Sequence, residues 1–221
     1  MGVGPAKSSR LIVQKPCAGD DNRAMTKKQS ARSTENAPHV VRIIGGQWRR
    51  TRLPVADKPG LRPTPDRVRE TLFNWLGQDL AGWHVVDAFS GTGALGLEAA
   101  SRGAADVLMI EQDASLAASL RELKVKLQAE KVRVERGDAI VVMRALPAGC
   151  KDLVLLDPPF SANLFSTALA AAAPIVRAGG WIYLEAPEQA DAAELQALGL
   201  ALHRHLKAGA VHAHLLQRAP A

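Results

Sequence analysis

The hydrophobic pattern of this chain changes twice, near residue 40 and near residue 84. Residues 1–38 show no periodicity and are rich in Ser, Lys, Arg, Gly and Pro, so we expect a disordered basic tail. From about residue 84, short apolar runs typical of buried strands alternate with segments whose apolar residues recur at helical spacing. The predicted strands are 84–88, 106–110, 132–136, 152–157 and 180–185, and the predicted helices are 92–102, 114–129, 138–145, 162–173 and 189–198.

This alternation predicts an α/β fold whose mainly parallel sheet is covered by helices on both faces. The segments "ALHRHL" and "VHAHLLQ", joined by residues 207–210, predict a closing β-hairpin. Ligands of such sheets bind beyond the carboxyl ends of the strands. Residues at those ends are therefore the first candidates for chemistry.

A different pattern lies between the tail and the alternating region. "VVRIIGGQWRRTRLPV" predicts two short strands around Gly45-Gly46, as in a hairpin. "RPTPDRVRETLFNWLG" predicts a helix, with Thr64 as its N-cap, Pro65 at its first position and Gly77 at its end.

These patterns divide the chain into three parts. The tail covers 1–38, a hairpin-and-helix extension covers 39–80, and the main domain covers 81–221. Met25, inside the tail, is a candidate for the true start of the protein.

Charge and composition narrow the function. The net charge is +8 through Ala81 and −2 from Gly82 onward, which predicts a polyanionic partner for the front of the chain. Half of that excess lies in residues 1–38, where a solvated tail accounts for it equally well. No apolar run approaches the ~20 residues of a membrane span. The two cysteines form no framework, so we expect a reducing, cytoplasmic location.

The first chemical motif is "VVDAFSGTGALGLEAA", residues 85–100, in which Gly91, Gly93 and Gly96 have the spacing G-x-G-x-x-G. Glycines at a strand–helix turn often serve packing alone. Asp87, however, ends the strand just before this turn, and its carboxylate would repel a pyrophosphate. An acid suits the sulfonium and ammonium groups of S-adenosylmethionine, so we predict that cofactor, with Ser90 in the same turn among its contacts.

Acids also end the next two predicted strands. Glu111 can accept both ribose hydroxyls, as in dinucleotide sites. Asp138 can accept the adenine amino group, although an ordinary helix-capping carboxylate explains it equally well. With Asp87 they form a row of three acids along one edge of the sheet.

The second motif is "DLVLLDPPF", in which a buried strand ends at Asp157. Pro158 and Pro159 cannot donate to the sheet, so the ladder stops there. A carboxylate and the Pro158 carbonyl can each accept one N–H of an exocyclic amino group and direct its lone pair at a methyl carbon. Phe160 offers a flat surface for a flipped-out base. The simpler alternative is a proline-terminated strand followed by a buried Phe.

The histidines invite a further hypothesis, because His203, His205, His212 and His214 occur in two H-x-H pairs that predict two shared faces. Such pairs can bind a metal. We expect no metal, since the two pairs can face apart and the proposed chemistry needs none.

Taken together, "DAFSGTGALGLEA" and "DPPF" resemble the class I S-adenosylmethionine-dependent methyltransferases that act on amino nitrogens. With "RIIGGQWRRTRLPV" and "GLRPTPDRVRETLFNWL", the chain resembles the RsmD family of 16S rRNA (guanine-N2)-methyltransferases over about 40–221. The resemblance implies a Rossmann-like, seven-stranded, mostly parallel sheet with a reversed last strand. It also implies methylation of guanine 966 in a small-subunit (30S) assembly particle, with S-adenosylhomocysteine as the second product.

The resemblance also assigns roles to individual residues. Asp157, Pro158 and Phe160 would be catalytic, and the cofactor positions would be Asp87, Gly91, Gly93, Glu111 and Asp138.

The arginines of the extension are the predicted RNA contacts. Arg42, Arg49, Arg50 and Arg52 lie on the predicted hairpin, and Arg62, Arg67 and Arg69 on or near the helix. We expect several of them to contact phosphates, with affinity that falls steeply with salt. Arg69 could instead pair with Glu70 within the fold, and Trp48 could stack on RNA or pack against the main domain.

Two other function classes stay open on the residues alone. The same motif serves methyltransferases that act on DNA adenine or cytosine, or on protein glutamine amides, although no separate target-recognition domain remains for DNA. A non-catalytic RNA-binding protein is disfavoured by the intact Asp157 and glycine turn. We expect a monomer.

Overall fold

The computed structural model describes residues 1–2, 40–56, 58, 64–160 and 164–220. The strands are β1 (Val40–Arg42), β2 (Arg52–Pro54), β3 (His84–Asp87), β4 (Asp106–Glu111), β5 (Val132–Arg136), β6 (Lys151–Leu156), β7 (Val176–Ala186), β8 (Leu200–Ala208) and β9 (Val211–Arg218). The helices are α1 (Asp66–Trp75), α2 (Ala94–Ser101), α3 (Ala114–Lys126), α4 (Ala139–Arg144), α5 (Phe165–Ala172) and α6 (Ala192–Ala197). The predicted tail lies outside the described residues, apart from its first two.

The main sheet has seven strands in the order β5-β4-β3-β6-β7-β9-β8. Its first five strands are parallel, while β9 runs antiparallel to both of its neighbours, β7 and β8. This confirms the predicted α/β class, the reversed last strand and the closing hairpin. The strand order reverses between β3 and β6, which is where open α/β sheets bind their ligands.

Two apolar layers cover the sheet. One packs α1, α2 and α3 on a face that includes Val85 and Leu155. The other packs α4, α5 and α6 on the face of Val86 and Val154. Consecutive residues of β3 and β6 thus point into opposite layers, as expected for strands buried on both sides. Within the described residues, no helix has the length and apolar character needed to cross a bilayer.

Strand β7 begins four residues earlier than predicted, because it continues through a glycine pair. Gly179 has a φ of 72°, and a Cβ on Gly180 would lie 2.8 Å from Val176 and 3.0 Å from the Asp152 carbonyl oxygen. The register with β6 shifts at this point, between Lys151 and Leu153. Gly179 and Gly180 therefore mark a bulge within the strand.

The extension contains the predicted hairpin, but its glycines contact helix α2 instead of forming the turn. β1 and β2 pair antiparallel across a loop of residues 43–51. A Cβ on Gly46 would lie 1.9 Å from the Ser101 carbonyl oxygen, and the next backbone N–H, of Gln47, donates to that oxygen at 2.8 Å. Gly45-Gly46 thus lets the loop contact the end of α2, and the prediction of a turn centred on it is wrong.

The predicted N-cap of α1 is also wrong. The cap position is occupied by Pro65, with no side-chain hydrogen bond, and the Thr64 hydroxyl instead donates to Asp157 Oδ2 at 3.3 Å. Gly77, with a φ of 89°, follows the end of the helix as predicted. The segment before α1 therefore belongs to the predicted catalytic region.

The histidines of β8 and β9 do not form two matching pairs. A register shift between Leu202 and Arg204 places His203 against the Trp181 ring and His205 against the His214 ring. The prediction that His203 and His205 share a face is therefore wrong.

Three of these imidazoles cluster nonetheless. One ring nitrogen from each of His205, His212 and His214 lies within 4.8 Å of the others. Both nitrogens of His214 already have partners: Nδ1 donates to the Leu184 carbonyl at 3.2 Å, and Nε2 accepts the Ala190 N–H at 3.1 Å. His205 Nε2 and His212 Nδ1 lie 3.0 Å apart, a hydrogen-bond distance, so these two rings are also partners of each other. This geometry disfavours a metal.

Candidate active site

The glycine turn is fixed by the carboxylate that precedes it. The Gly96 N–H donates to Asp87 Oδ2 at 2.9 Å, and a Cβ on Gly96 would lie 2.8 Å from that oxygen. Gly93, which caps α2, has a φ of 80° that favours glycine. The spacing of the glycines therefore serves a close approach between the turn and Asp87.

Asp87 is buried in this position, and its pKa lies close to neutral pH. Burial raises the pKa of Asp87 to about 7; the Gly96 N–H lowers it, and the charge of Glu111 raises it further. The Ser90 hydroxyl donates to the Asp87 carbonyl oxygen at 2.9 Å. A cationic ligand would stabilise the ionised form of a buried carboxylate of this kind.

Glu111 connects the ends of β3 and β4. Its Oε2 accepts the Gly91 N–H at 2.8 Å, and its Oε1 accepts the Asp113 N–H at 2.8 Å. A carboxylate has lone pairs left after two such bonds, so Glu111 can still accept hydroxyls. Asp138, at the end of β5, caps α4 through Oδ1, which accepts the N–H groups of Ile140 at 2.8 Å and Val141 at 3.0 Å.

The predicted row of acids therefore exists along three adjacent strands, and each acid accepts backbone N–H groups. We call Asp87, Gly91, Glu111 and Asp138 the glycine-turn side of the crevice.

The second motif lies across the switch point from this row. Leu155 of β6 pairs with Asp87 of β3, and Asp157 follows two residues later. Pro158 is buried, whereas Phe160 is 40% exposed. The Phe160 ring contacts the Phe165 ring edge-on, with centroids 5.8 Å apart. The alternative of a buried Phe after the prolines is therefore wrong, because this ring presents a surface to solvent.

Sequence reasoning missed one acid of this site, Glu185. The residue before it, Leu184, pairs with Leu156, so Glu185 and Asp157 occupy equivalent positions at the ends of neighbouring strands. Glu185 is 3% exposed, and its Oε1 accepts the Tyr183 hydroxyl proton at 2.8 Å. An acid at the end of the next parallel strand was the signal available in the sequence.

The two acids affect each other's ionisation. Burial raises the pKa of Asp157 well above its usual range, and the charges of Glu185 and Asp87 raise it further, while Thr64 lowers it. Burial also raises the pKa of Glu185, opposed by Tyr183, Thr64 and the charge of Arg69. We call Thr64, Asp157 and Glu185 the Asp157 side of the crevice.

A buried ion cluster joins the extension to helix α2. Glu98, fully buried, accepts the N–H groups of Ile44 at 2.8 Å and Gly45 at 2.7 Å. It also pairs with Arg102 at 2.8 Å and with Arg69 at 3.3 Å. Because α2 begins at the glycine turn, this cluster fixes the hairpin relative to the predicted cofactor residues.

The arginines of the extension fall into two groups. Arg69 is fully buried and donates to Asp66, Glu98 and the Arg42 carbonyl. The alternative that Arg69 pairs within the fold is therefore confirmed, with Asp66 and Glu98 as its partners rather than Glu70. Four hairpin arginines and one on α1 are exposed: Arg42, Arg49, Arg50, Arg52 and Arg67. Arg62 lies outside the described residues. Trp48 packs against the core.

A cavity of about 570 Å³ lies at the opposite end of α2 from the glycine turn. It is lined by Gly46–Trp48, by the end of α2 and by residues 128–131. None of the predicted catalytic or cofactor residues contributes to it.

A family model described as conserved hypothetical protein 95 matches residues 41–217. The chain belongs to this family. Ribosomal RNA small subunit methyltransferase D of Escherichia coli is 40% identical over 184 residues, covering 80% of this chain and 90% of that protein. The protein of the same name from Haemophilus influenzae is 42% identical over 142 residues, covering 62% and 72%. The family resemblance predicted from the sequence is thus confirmed.

Solved structures agree with this fold. A putative methyltransferase from Escherichia coli superposes with a TM-score of 0.71 at 35% identity, covering 83% of this chain and all of that one. A putative RNA methyltransferase from Pyrococcus horikoshii, at 20% identity and a TM-score of 0.62, has the same fold. This chain therefore has the class I methyltransferase fold, as predicted.

Proposed function

We propose that this chain transfers a methyl group from S-adenosylmethionine to the exocyclic N2 amino group of a guanine in 16S rRNA. The position implied by the family resemblance is 966, in a small-subunit (30S) assembly particle. The observation that carries the proposal is the convergence of Asp87 and Asp157 at the switch point of a methyltransferase sheet. Relatives named ribosomal RNA small subunit methyltransferase D support the substrate class.

The glycine-turn side fits S-adenosylmethionine chemically. Asp87 is a buried acid whose ionisation a cationic amino acid group would favour, Glu111 has lone pairs for ribose hydroxyls, and Asp138 has a second oxygen outside its cap. Gly91 and Gly93 have φ values of 50° and 80°, which favour glycine, and a Cβ on Gly93 would lie 2.6 Å from Leu120 and 2.8 Å from Met109. When bound, this cofactor supplies a methyl group activated by a positively charged sulfur.

The Asp157 side fits an amino group on a planar base. The Asp157 carboxylate and the Pro158 carbonyl accept the two N–H protons, which orients the nitrogen lone pair. Phe160, exposed beside them, stacks on the base, a contact worth ~1–3 kcal/mol. Orientation of this kind can supply ~7–11 kcal/mol toward the barrier, so no strong base is needed before methyl transfer.

The exposed arginines then bind the RNA around the flipped base. Arg42, Arg49, Arg50 and Arg52 on the hairpin, with Arg67 on α1, present positive charge on the unit that Glu98 attaches to α2. The division of the chain into a tail, an RNA-binding extension of 39–80 and a catalytic domain of 81–221 belongs to this proposal, as do a monomeric state and a cytoplasmic location.

The test uses labelled S-adenosylmethionine and four acceptors. Unmethylated 30S particles, naked 16S rRNA, duplex DNA and total protein are incubated separately with the enzyme. We expect label in rRNA, with the particle preferred over naked RNA. Label in DNA or in protein without label in rRNA would contradict the proposal and favour one of the alternative amino-methyltransferase activities.

A further inference from the structure

Thr64 is a buried threonine just before α1 whose hydroxyl does not cap that helix. A threonine in this position ordinarily stabilises a helix by accepting the N–H of its second or third residue. Here the cap position is Pro65, without a side-chain hydrogen bond, and Thr64 is only 4% exposed. Its hydroxyl donates to Asp157 Oδ2 at 3.3 Å, so the side chain serves the active site rather than the helix.

Asp157 needs a distant donor because of the two residues that follow it. Glu111 and Asp138 accept backbone N–H groups from positions two or three residues later in the chain. After Asp157, the next two positions are prolines, which have no N–H to donate. Among the described residues, the donor to this carboxylate is Thr64, 93 positions away. A side chain thus does for Asp157 what the local backbone does for the other two acids.

A hydrogen bond to one carboxylate oxygen fixes the plane of the group. Thr64 binds Oδ2, and a carboxylate has about four lone-pair sites, so Oδ1 can still accept the N–H of an amino group. The bond is longer than the ~2.7–2.8 Å typical of O–H···O, as catalytic hydrogen bonds often are before the substrate binds. Its loss should therefore slow a reaction that depends on orientation without abolishing it.

The backbone of Thr64 is held in place by Arg69. The Nε of this arginine donates to the Thr64 carbonyl at 3.2 Å, and its Nη2 donates to the Arg42 carbonyl at 2.8 Å. Its Nη1 binds Glu98 of α2 at 3.3 Å. A guanidinium is planar and its donors form a rigid fork, so this buried group fixes Thr64 relative to both the hairpin and α2. Thr64 therefore reaches Asp157 from a fixed position.

The ionisable groups around Asp157 lie on β3 and β7. Burial raises the pKa of Asp157, and the charges of Glu185 and Asp87 raise it further, whereas the hydrogen bond from Thr64 lowers it. The Tyr183 hydroxyl donates to Glu185. Among these groups, Thr64 is the one that favours the ionised form of Asp157.

We propose that Thr64 is a positioning residue for methyl transfer, whose hydroxyl holds one oxygen of Asp157 so that the other accepts an N–H of the target amino group. This rests on the proposed function, which assigns the amino group to Asp157. Thr64 acts through the Asp157 carboxylate and not on the cofactor.

The first test compares Thr64→Val with Thr64→Ser in single-turnover methyl transfer to 30S particles. Valine keeps the shape but removes the hydroxyl, so we expect the rate to fall about tenfold, equivalent to ~1.4 kcal/mol, with Kd for S-adenosylmethionine within about twofold. Serine retains the hydroxyl and should stay within about threefold of the wild-type rate.

The matched control is Thr71→Val, which removes a hydroxyl that donates to the Arg67 carbonyl within α1. It should turn over like the wild type. Equal losses in Thr64→Val and Thr64→Ser would indicate a packing role and overturn the proposal. An unchanged rate in Thr64→Val would overturn it as well.

The pH profile of the same reaction separates orientation from packing. Asp157 accepts an N–H only when it is ionised, and the bond from Thr64 favours ionisation by lowering the pKa of Asp157. The acidic limb of the rate should therefore move to higher pH by about half a unit or more in Thr64→Val, and stay in place in Thr64→Ser. An acidic limb that does not move in Thr64→Val would contradict the proposal.

The closing experiment needs no substrate, so it distinguishes this inference from the proposed function. The aspartate carboxyl carbons are labelled with ¹³C, and the Asp157 signal, identified with Asp157→Asn, is followed by NMR as the pH changes. We expect a higher midpoint in Thr64→Val than in the wild type and Thr64→Ser. An equal midpoint in all three would overturn the inference, whether or not the protein methylates rRNA. A raised midpoint in a protein that methylates no rRNA would contradict the proposed function and support the contact between Thr64 and Asp157.

Discussion

The two sides of the crevice hold their carboxylates in different ways. On the glycine-turn side, Asp87, Glu111 and Asp138 all accept backbone N–H groups at 2.8–3.0 Å. On the Asp157 side, the donors to Asp157 and Glu185 among the described residues are the hydroxyls of Thr64 and Tyr183. Backbone amides are fixed by the fold, whereas a hydroxyl can rotate and exchange donor and acceptor roles.

This difference matches a division of labour. Fixed amides suit a side that binds the same cofactor in every cycle, and rotatable hydroxyls suit a side where a proton must leave the acceptor. Substitutions on the two sides should therefore fail differently, the first in cofactor affinity and the second in turnover.

The largest effect should come from Asp157→Ala. Loss of the amino-group acceptor should reduce turnover about 10²- to 10⁴-fold, while S-adenosylmethionine affinity stays within about twofold. Single-turnover rates and calorimetric titration measure the two quantities. Asp152→Ala, on the same strand but bonded to His84 and Arg177, is the control that should retain turnover. Equal loss of turnover and of cofactor affinity in Asp157→Ala would contradict the proposal that the two sides have different roles.

Asp87→Asn should show the opposite pattern. The amide can still accept the Gly96 N–H but carries no charge for the cofactor, so we expect Kd for S-adenosylmethionine to rise about 10- to 100-fold. Turnover at saturating cofactor should change much less. Cofactor titration and saturation kinetics on the same preparation test this, and a fall in turnover at unchanged Kd would contradict it.

The pH dependence of cofactor binding gives a sharper version of the same test. With a pKa of about 7, Asp87 is mostly protonated one unit below that value and mostly ionised one unit above it. The ionised form attracts a cationic ligand, so affinity should rise about tenfold across this interval and then level off. Asp87→Asn should flatten the profile. A wild-type affinity that falls as pH rises would refute the assignment.

Variants of the exposed arginines test whether the extension binds RNA, rather than the chemistry of either side of the crevice. Replacing Arg42 and Arg52 together with Glu should raise the apparent KM for 30S particles about tenfold and make its salt dependence shallower, with turnover nearly unchanged. The control is the pair Arg121→Glu and Lys126→Glu, both exposed on α3. An equal effect of the two pairs would mean that only overall charge matters.

The smallest effect concerns the third acid of the row. Asp138→Ala removes the cap of α4 and should lower the free energy of unfolding by about 1 kcal/mol. Asp138→Asn retains a capping oxygen and should be close to wild type in denaturant unfolding. If both variants bind the cofactor normally, Asp138 is a cap and nothing more.

The sequence predicted the acids of the crevice because a strand-end rule finds them. Asp87, Glu111 and Asp157 each end or follow an apolar run, and Asp138 follows the alternating strand "VRVER". Parallel strands bring such ends to one edge. Applied once more, the same rule would have found Glu185 at the end of β7.

The contact between Thr64 and Asp157 could not be predicted from local sequence patterns. The two residues are 93 positions apart, and Thr64-Pro65 has the pattern of a cap followed by a first helical residue. The burial of Arg69 left a clearer trace. It shares the i, i+3, i+4, i+7 positions with Leu72, Phe73 and Leu76, which is the apolar face of α1.

The measurement that tests the account most directly is nucleoside mass spectrometry of 30S rRNA methylated by the wild-type enzyme. The carboxylate–proline–aromatic arrangement accepts any planar amino group, so the product identifies the base on which it acts. We predict N2-methylguanosine as the new modified nucleoside, at a single site. N6-methyladenosine or N4-methylcytidine in its place would contradict the assignment of guanine.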